Sequence, residues 1–401
     1  MGRGDAASMH SNGVARYSIR YRDLHVNRAS SSILPTLSAA ALFFSLAGGR
    51  TVAAQDTGIH PTIANDQICE SCWIDATKVT TISGPSLLLP AQVKSDHRGR
   101  LFMWSQMDPT TVAVYDQTGK KLATIGHEGE GPGEFRSIAA MFVGPGDSLH
   151  VYDDALSRVS VFGPENFKLA RSARLPLIPW AGGVLRLGPD RVVVNSLVET
   201  RRGFGLPLHL VIPEQDSLVR SFGRLTRRVL PGEQGFLTRA LATDGDDVVS
   251  ISRYQYVVEV WDPETGQLLN GFERRPDGFA PRHLHEAVSV RRNIPPVSYV
   301  SDARVDSAGR LWVLVQVPSK DWKRHVKVVS RGSEEAAQVD PIGAYNTVVD
   351  VIDLKGAVLI ATARFDTVYP SWVDSRHVYS YREVSGLVPQ ASIWSLQLRS
   401  P

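Results

Sequence analysis

The sequence predicts an all-β protein, a six-bladed β-propeller with four-stranded blades whose last blade is closed by an N-terminal strand. Three observations lead to this prediction: a globular composition, one strand pattern that recurs six times, and incomplete strand signals at the two ends of the repeats. Of 401 residues, 43% are hydrophobic and 21% charged, and 33 Gly and 24 Pro are spread along the chain. This composition is typical of many short strands joined by turns.

The recurring pattern is a short run of alternating apolar residues, often followed by Asp and a turn. Its copies begin at Val112, Val159, Leu208, Val258, Val349 and Ala391. The starts lie 47, 49, 50, 91 and 42 residues apart, and four-stranded blades repeat about every 40 to 50 residues. The six copies therefore predict six blades, with one long insertion in the 91-residue interval.

A turn and an apolar strand precede each copy, and two of these stretches are nearly identical. They are Asp96–Trp104 and Asp306–Val315. Asp suits the turn because its side chain bonds the local backbone, and Gly suits it because it accepts positive φ. Each blade is therefore expected to contain this turn between its first two strands.

The two ends of the repeat region are expected to complete one blade together. The last copy ends too soon for an outer strand, whereas Thr77–Ile82 is a strand without a blade of its own. Closure of this kind removes exposed sheet edges. The alternative is seven blades, if the interval from Gly266 to Val349 hides another, although its Arg- and Pro-rich run 274–296 favours a long loop.

The first 54 residues have the layout of a signal peptide with a long basic N-terminal extension. Six Arg accompany an uncharged stretch from Ser32 to Gly49, and small residues follow at 52–54. The apolar core is short and contains Pro35, whereas a spanning helix needs about 20 apolar residues. We therefore expect cleavage near Ala54 and export to the periplasm or the exterior. The alternative is membrane anchoring by an uncleaved leader.

The chain thus divides into a leader (1–54), a short mature N-terminal segment (55–73) and a single propeller domain (74–398). The formal net charge is +3, but the leader holds six Arg against two Asp, so the mature chain is near −1. Because no basic domain is concentrated anywhere in the mature chain, nucleic acid is not an expected partner. A monomer is expected.

The only cysteines, Cys69 and Cys72, lie in the short segment before the repeats. In an oxidising compartment they can pair with each other. A redox motif would open a helix beside a βαβ unit, whereas a strand-like run follows here. A structural disulfide is therefore favoured over a redox site. Zinc ranks last because a second ligand pair is absent.

One blade carries a resemblance to a known family. Residues Ile125–Phe135, an apolar strand after them, and Leu149–Phe162 are similar to the Gly-rich link, strand and Arg-Val-x-Val-Phe close of an NHL blade. The chain thus resembles exported six-bladed propellers of the NHL-repeat type, over roughly residues 74–398 in blade layout. Members of that family serve as binding scaffolds, and some related propellers are hydrolases or lyases. The resemblance therefore implies a fold more than an activity.

Two sets of basic residues are weak candidates for ligand loops. Four doublets in predicted connections between strands would favour an anionic glycan or acidic peptide if they share one face. They are Arg201-Arg202, Arg227-Arg228, Arg274-Arg275 and Arg291-Arg292. His283 and His285 could supply half of a metal site, but a solvated loop is the simpler interpretation. The Gly126–Gly133 run is interpreted as a link between blades, because no helix follows it as a phosphate loop requires.

These observations favour a binding or protein-interaction scaffold outside the cytoplasm, with an unknown protein, peptide or glycan ligand held by the loops at one mouth of the channel. An enzyme is the less favoured class, because the sequence has neither a Gly-x-Ser-x-Gly elbow nor a His-Glu-x-x-His helix. The alternative is a metal-dependent hydrolase or lyase with an axial Ca²⁺ or Zn²⁺ ion. No catalytic residue or cofactor is predicted.

Overall fold

The computed structural model describes residues 60–84, 87–177, 183–196, 198–200, 203–225, 237–279, 288–331, 334–383 and 388–401. Residues 56–401 form one compact unit. The leader predicted for residues 1–54 lies outside the described residues. No helix in the described ranges is long and apolar enough to cross a bilayer.

Short strands dominate the described chain. In chain order they are β1 (Trp73–Ser83), β2 (Gln92–Ser95), β3 (Leu101–Ser105), β4 (Asp108–Tyr115), β5 (Lys121–Ile125), β6 (Ile138–Val143), β7 (Leu149–Asp153), β8 (Arg158–Phe162), β9 (Leu169–Arg174), β10 (Val184–Leu187), β11 (Arg191–Asn195), β12 (Glu199–Thr200), β13 (Gly203–Phe204), β14 (Leu208–Ile212), β15 (Ser217–Phe222), β16 (Arg239–Asp244), β17 (Asp247–Ser252), β18 (Val257–Asp262), β19 (Gln267–Glu273), β20 (Tyr299–Val305), β21 (Arg310–Pro318), β22 (Val326–Arg331), β23 (Glu334–Val339), β24 (Tyr345–Asp353), β25 (Val358–Phe365), β26 (His377–Arg382) and β27 (Gln390–Arg399).

In the part of the chain that the structure describes, helical structure is confined to single turns. Short 3₁₀ helices span Pro145–Asp147, Pro213–Gln215 and Trp322–His325, and one α-helical turn, α1, spans Pro341–Ala344. Asp340 caps α1 by accepting a hydrogen bond from the backbone N–H of Ile342.

The strands form a six-bladed β-propeller, as predicted. Blades 1 to 5 are antiparallel sheets in the orders β2-β3-β4-β5, β6-β7-β8-β9, β10-β11-β14-β15, β16-β17-β18-β19 and β20-β21-β24-β25. Blade 6 has the order β26-β27-β1, and Trp372 forms an isolated bridge with Val378 at its inner side. The N-terminal strand β1 pairs with β27 from Trp73–Arg399 to Ser83–Gln390, which confirms the predicted closure.

Hydrophobic clusters join each blade to the next and close the ring. Each cluster takes buried residues from two neighbouring blades, including blades 6 and 1, where Tyr379 and Val93 pack in one cluster. Apolar residues on both faces of every blade are therefore buried, which explains why the repeat pattern shows few polar positions on the central strands.

The 91-residue interval holds the first two strands of blade 5 and, in its described residues, no seventh blade. Its extra length lies in two connections rather than the single insertion that the spacing predicts. One joins β19 to β20 (274–298), and the other joins β21 to β24 (319–344) and contains the β22–β23 hairpin.

The connections distinguish the two faces of the ring. Because neighbouring strands are antiparallel, turns after the first and third strands of a blade lie on one face, and the other connections lie on the opposite face. In blades 1 to 5 the former are two to six residues long, so we call this side the short-turn face. The opposite side, the long-loop face, carries connections that include 196–207, 223–238, 274–298 and 319–344.

Candidate functional site on the long-loop face

Positive charge is concentrated in the connections of blades 3 to 5 on the long-loop face. The described side chains of the segments 196–207, 223–238, 253–256, 274–298 and 319–344 include ten Lys and Arg against three Asp and Glu. The segments 84–91, 106–107, 126–137, 154–157, 175–183, 366–371 and 383–389 on the same face contain one Arg against six Asp and Glu. The face thus has a basic half and an acidic half, although residues 55–401 as a whole are near neutral.

Three tyrosines lie together in the basic half. Tyr254 comes from the β17–β18 turn, Tyr299 begins β20 and Tyr345 begins β24. The ring centroids of Tyr254 and Tyr299 are 6.3 Å apart, and those of Tyr299 and Tyr345 are 5.6 Å apart with nearly perpendicular planes. All three side chains are half-buried, so this tyrosine cluster presents part of its aromatic surface at the rim between blades 4 and 5.

Hydrogen bonds to backbone carbonyls hold the tyrosine cluster in place. The Tyr345 hydroxyl donates to the carbonyl of Val297 over 3.2 Å, and burial raises the pKa of Tyr345. Arg253, next to Tyr254, donates to the carbonyls of Val300 and Ser301 at the start of β20. These bonds fix the position of the tyrosines relative to the channel mouth. The side chains therefore lose little conformational entropy when a ligand binds.

Among the predicted ligand-loop residues, Arg274 is buried and only 1% exposed. Its Nε lies 3.2 Å from Asp350 Oδ2, its Nη2 lies 3.4 Å from Asp350 Oδ1, and its Nη1 donates to Asn65. Tyr256 and Thr362 also donate to Asp350, over 3.0 and 2.7 Å. Because its guanidinium is bonded inside the protein, Arg274 joins the N-terminal segment to blade 5 and does not face a ligand.

The other predicted positions are distributed differently. Arg275 is exposed and pairs with Glu273, while Arg291 and Arg292 are exposed in the segment that leads into Tyr299. The remaining candidates lie outside the described residues: Arg201, Arg202, Arg227, Arg228, His283 and His285. The described residues that flank them belong to the long-loop face.

A second buried charge cluster, not predicted from the sequence, lies between blades 3 and 4. Arg224 Nε donates to Glu259 Oε1 over 2.6 Å, and Arg239 Nη2 donates to the carbonyl of Arg224 over 2.8 Å. Burial opposes the charge of Glu259, but a hydrogen bond from His60 and the charges of Arg239 and Arg224 hold its pKa below the usual value. Arg239 begins the innermost strand β16 and is 1% exposed. A lone Arg at a strand start gave no sequence signal for this role.

The glycine run is a compact link between blades 1 and 2. Glu134 accepts from the backbone N–H of Gly131 over 2.7 Å, and the Arg158 guanidinium donates to the carbonyls of Glu130 and Glu134. The Phe135 ring lies directly against Gly126, whose φ is +80°, so a side chain there would collide with the ring. The geometry matches the interpretation as a blade link.

Cys69 and Cys72 are at disulfide distance, and the Cys72 N–H donates to the Cys69 carbonyl over 3.2 Å. The turn directly precedes β1 and follows Ile68, whose N–H donates to Leu359 of blade 5. The pair therefore lies where the N-terminal segment passes from blade 5 to blade 6. In the described ranges, no group of three or more His, Cys, Asp or Glu side chains has the geometry of a metal site.

Comparisons with known proteins agree with the fold. Residues 88–184, about a quarter of the chain, match the DUF5128 family model, described as "6-bladed beta-propeller". No curated protein gives a significant match. The chain is similar in structure to a Bacteroides fragilis protein described as "Putative exported protein", with a TM-score of 0.53, 10% identity, and coverage of 85% of this chain and 99% of the other.

Two further solved structures are similar at lower scores. Hydrazine synthase of Kuenenia stuttgartiensis has 15% identity and a TM-score of 0.42, with 72% of each chain covered. A luciferin-regenerating enzyme has 11% identity and a TM-score of 0.42, with 80% of this chain and 95% of the other covered. At these identities and scores, neither enzyme bears on the activity of this chain.

Proposed function

We propose that this β-propeller is a binding scaffold that acts outside the cytoplasm and holds an anionic ligand on the long-loop face, over blades 3 to 5. The observation that carries the proposal is the concentration of positive charge in the long connections of these three blades. An electrostatic potential of one sign at the mouth of the channel attracts ligands of the opposite charge and raises their association rate. Arg224 and Arg274 are paired internally with Glu259 and Asp350, and the excess of positive charge persists without them.

The tyrosine cluster supports the same location. Tyr254, Tyr299 and Tyr345 offer aromatic surface next to polar hydroxyls, a combination that suits the rings of a glycan or the side chains of a peptide. Exposed Arg292 lies in the segment directly before Tyr299. An acidic glycan or an acidic peptide would use both features, with the charges steering it and the aromatic rings providing contact area.

Export is the second part of the proposal. It is supported by the signal-peptide layout of residues 1–54, by the cysteine pair at disulfide distance, and by the structural similarity to the Bacteroides fragilis protein. Mass spectrometry of the protein from the periplasm or medium should give a chain that begins near residue 55. A cytoplasmic protein that keeps residues 1–54 would contradict export.

The binding proposal is tested with an array of acidic and neutral glycans and peptides, followed by affinity measurements on the best acidic ligand. Reversing three exposed charges of the basic half, with Arg292→Glu, Lys323→Glu and Arg324→Glu, should weaken binding about tenfold or more and reduce its salt dependence.

The matched control is Lys355→Glu, because Lys355 is an exposed residue of blade 5 on the short-turn face. This variant should bind the acidic ligand like the wild type. Equal losses in Lys355→Glu and in the triple variant would show a general charge effect. Binding of neutral ligands only would contradict an anionic ligand.

A further inference from the structure

A small cavity of about 30 Å³ lies on the opposite side of the ring, between blades 2 and 3 at the short-turn face. Blade 2 contributes residues of β6 to β9, and blade 3 contributes β10, β11 and the turn at Pro213–Gln215. A cavity of this size holds a particle about as large as one or two water molecules. The cavity is open to solvent on one side, so this limit applies to an occupant of its inner space.

The charged groups at the cavity are three guanidiniums and two carboxylates. They are Arg171, Arg186, Arg191, Asp190 and Glu214. Arg171 pairs with Glu214, and Arg191 pairs with Glu264 beyond the cavity wall. Arg186 is half-buried, and burial lowers its pKa. Among the described residues, no carboxylate pairs with Arg186.

Neutral polar groups complete the wall. His150 is 7% exposed, its ring stacks on Phe142 at a centroid distance of 4.4 Å, and its Nε2 lies 3.2 Å from Ser148 Oγ. Burial lowers the pKa of His150 to about 4, and the charges of Arg186 and Arg171 add to this effect. Burial also raises the pKa of Tyr152, so its phenol stays protonated near neutral pH.

We propose that this cavity binds a small monovalent anion of the size of chloride, with Arg186 as its main cationic contact. The unpaired guanidinium supplies the attraction, and the surrounding Phe142, Val159 and Val161 keep the local dielectric low, which strengthens it. The site lies on the face opposite the proposed ligand loops and is independent of them.

Anion binding is coupled to the protonation of His150. A negative charge beside Arg186 and Arg171 offsets the positive field that opposes the imidazolium, so His150 binds a proton more readily when the anion is present. By linkage, the anion then binds more tightly as the pH falls through the range in which His150 titrates.

The test is a pH titration of His150, in which the NMR signals of its ring give the pKa. The titration is carried out in sodium chloride and in sodium gluconate at equal ionic strength. Gluconate matches the charge of chloride but is too large for the inner space of the cavity. We expect the pKa of His150 to be higher in chloride by about one unit. Identical titration curves in the two salts would overturn the proposal, and this comparison needs no variant.

Two variants assign the effect to the cavity. Arg186→Gln should abolish the difference between the two salts, and its His150 should titrate at higher pH than the wild type in gluconate. Lys168→Gln removes a charge from an exposed turn of blade 2, the blade that contains His150, and should keep the wild-type difference. A chloride effect that survives in Arg186→Gln, or that disappears in Lys168→Gln, would overturn the assignment.

Discussion

The two faces of the ring use polar residues in different ways. On the short-turn face, the carboxylates of Asp96 and Asp306 each accept a hydrogen bond from the Arg four positions later in the chain. These donors are Arg100 and Arg310. On the long-loop face, Arg274 bonds Asp350, which lies in the next blade. The Asp turns of the short-turn face thus repeat one local bond in separate blades, besides ion pairs between neighbouring blades, whereas the bond of Arg274 occurs once and is not part of the repeat. Function is more easily varied on the second face, because its loops are not part of the repeat.

The largest effect on stability is expected when the two arginines of one doublet are replaced separately. Arg274→Ala would leave Asp350 buried without its cation, so we expect a loss of about 3 to 5 kcal/mol in the free energy of unfolding. Arg275→Ala removes only an exposed pair with Glu273 and should change stability by less than about 1 kcal/mol. Urea unfolding measures both values. Equal effects would show that the buried network is not the anchor of this face.

The second test concerns pH and the short-turn face. Burial lowers the pKa of His150 from its ordinary value of 6.5 to about 4 in the folded protein, so the unfolded chain binds more protons between these values. Stability should therefore decrease as the pH falls from about 6.5 to 4, by at most about 3 kcal/mol from this residue.

Thermal unfolding of the wild type and of His150→Gln over this range isolates the contribution. The variant should lose less stability on acidification than the wild type. If both proteins lose the same amount, His150 is not the responsible group.

The smallest expected effect compares two turns of the same face. Asp306 accepts hydrogen bonds from Arg310 Nε over 2.7 Å and from the buried Trp312 Nε1 over 2.9 Å, whereas Asp96 has only its Arg partner at the corresponding position. Asp306→Ala should therefore destabilise the protein by about 1 kcal/mol more than Asp96→Ala. Equal losses in chemical denaturation would show that the indole bond contributes nothing to the turn.

Much of the fold could be predicted because a blade is a local unit. The third strand of each blade coincides with a copy of the recurring pattern, and the pairing of β1 with β27 follows from the incomplete ends of the repeat. The 91-residue interval was harder to interpret, because a length does not show how it divides between two connections. The structure places the extra residues at 274–298 and 319–344, on one face.

The candidate site was predicted less well. Arg274 and Arg275 have the same local sequence signal, yet one is buried against Asp350 and the other is exposed. Tyr254 and Tyr345 gave no signal because they are distant in sequence and belong to different blades. Arg239 was missed for the same reason, since its neighbours Arg224 and Glu259 come from separate connections and strands.

The sequence by itself determined the repeated strands and their turns and favoured six blades over seven, because alternation of apolar residues and Asp-Gly turn chemistry depend on near neighbours in the chain. Only the tertiary structure decided which face carries the long connections, which arginines are buried, and which tyrosines meet. These properties arise where one blade contacts the next, and such contacts exist only once the ring has closed.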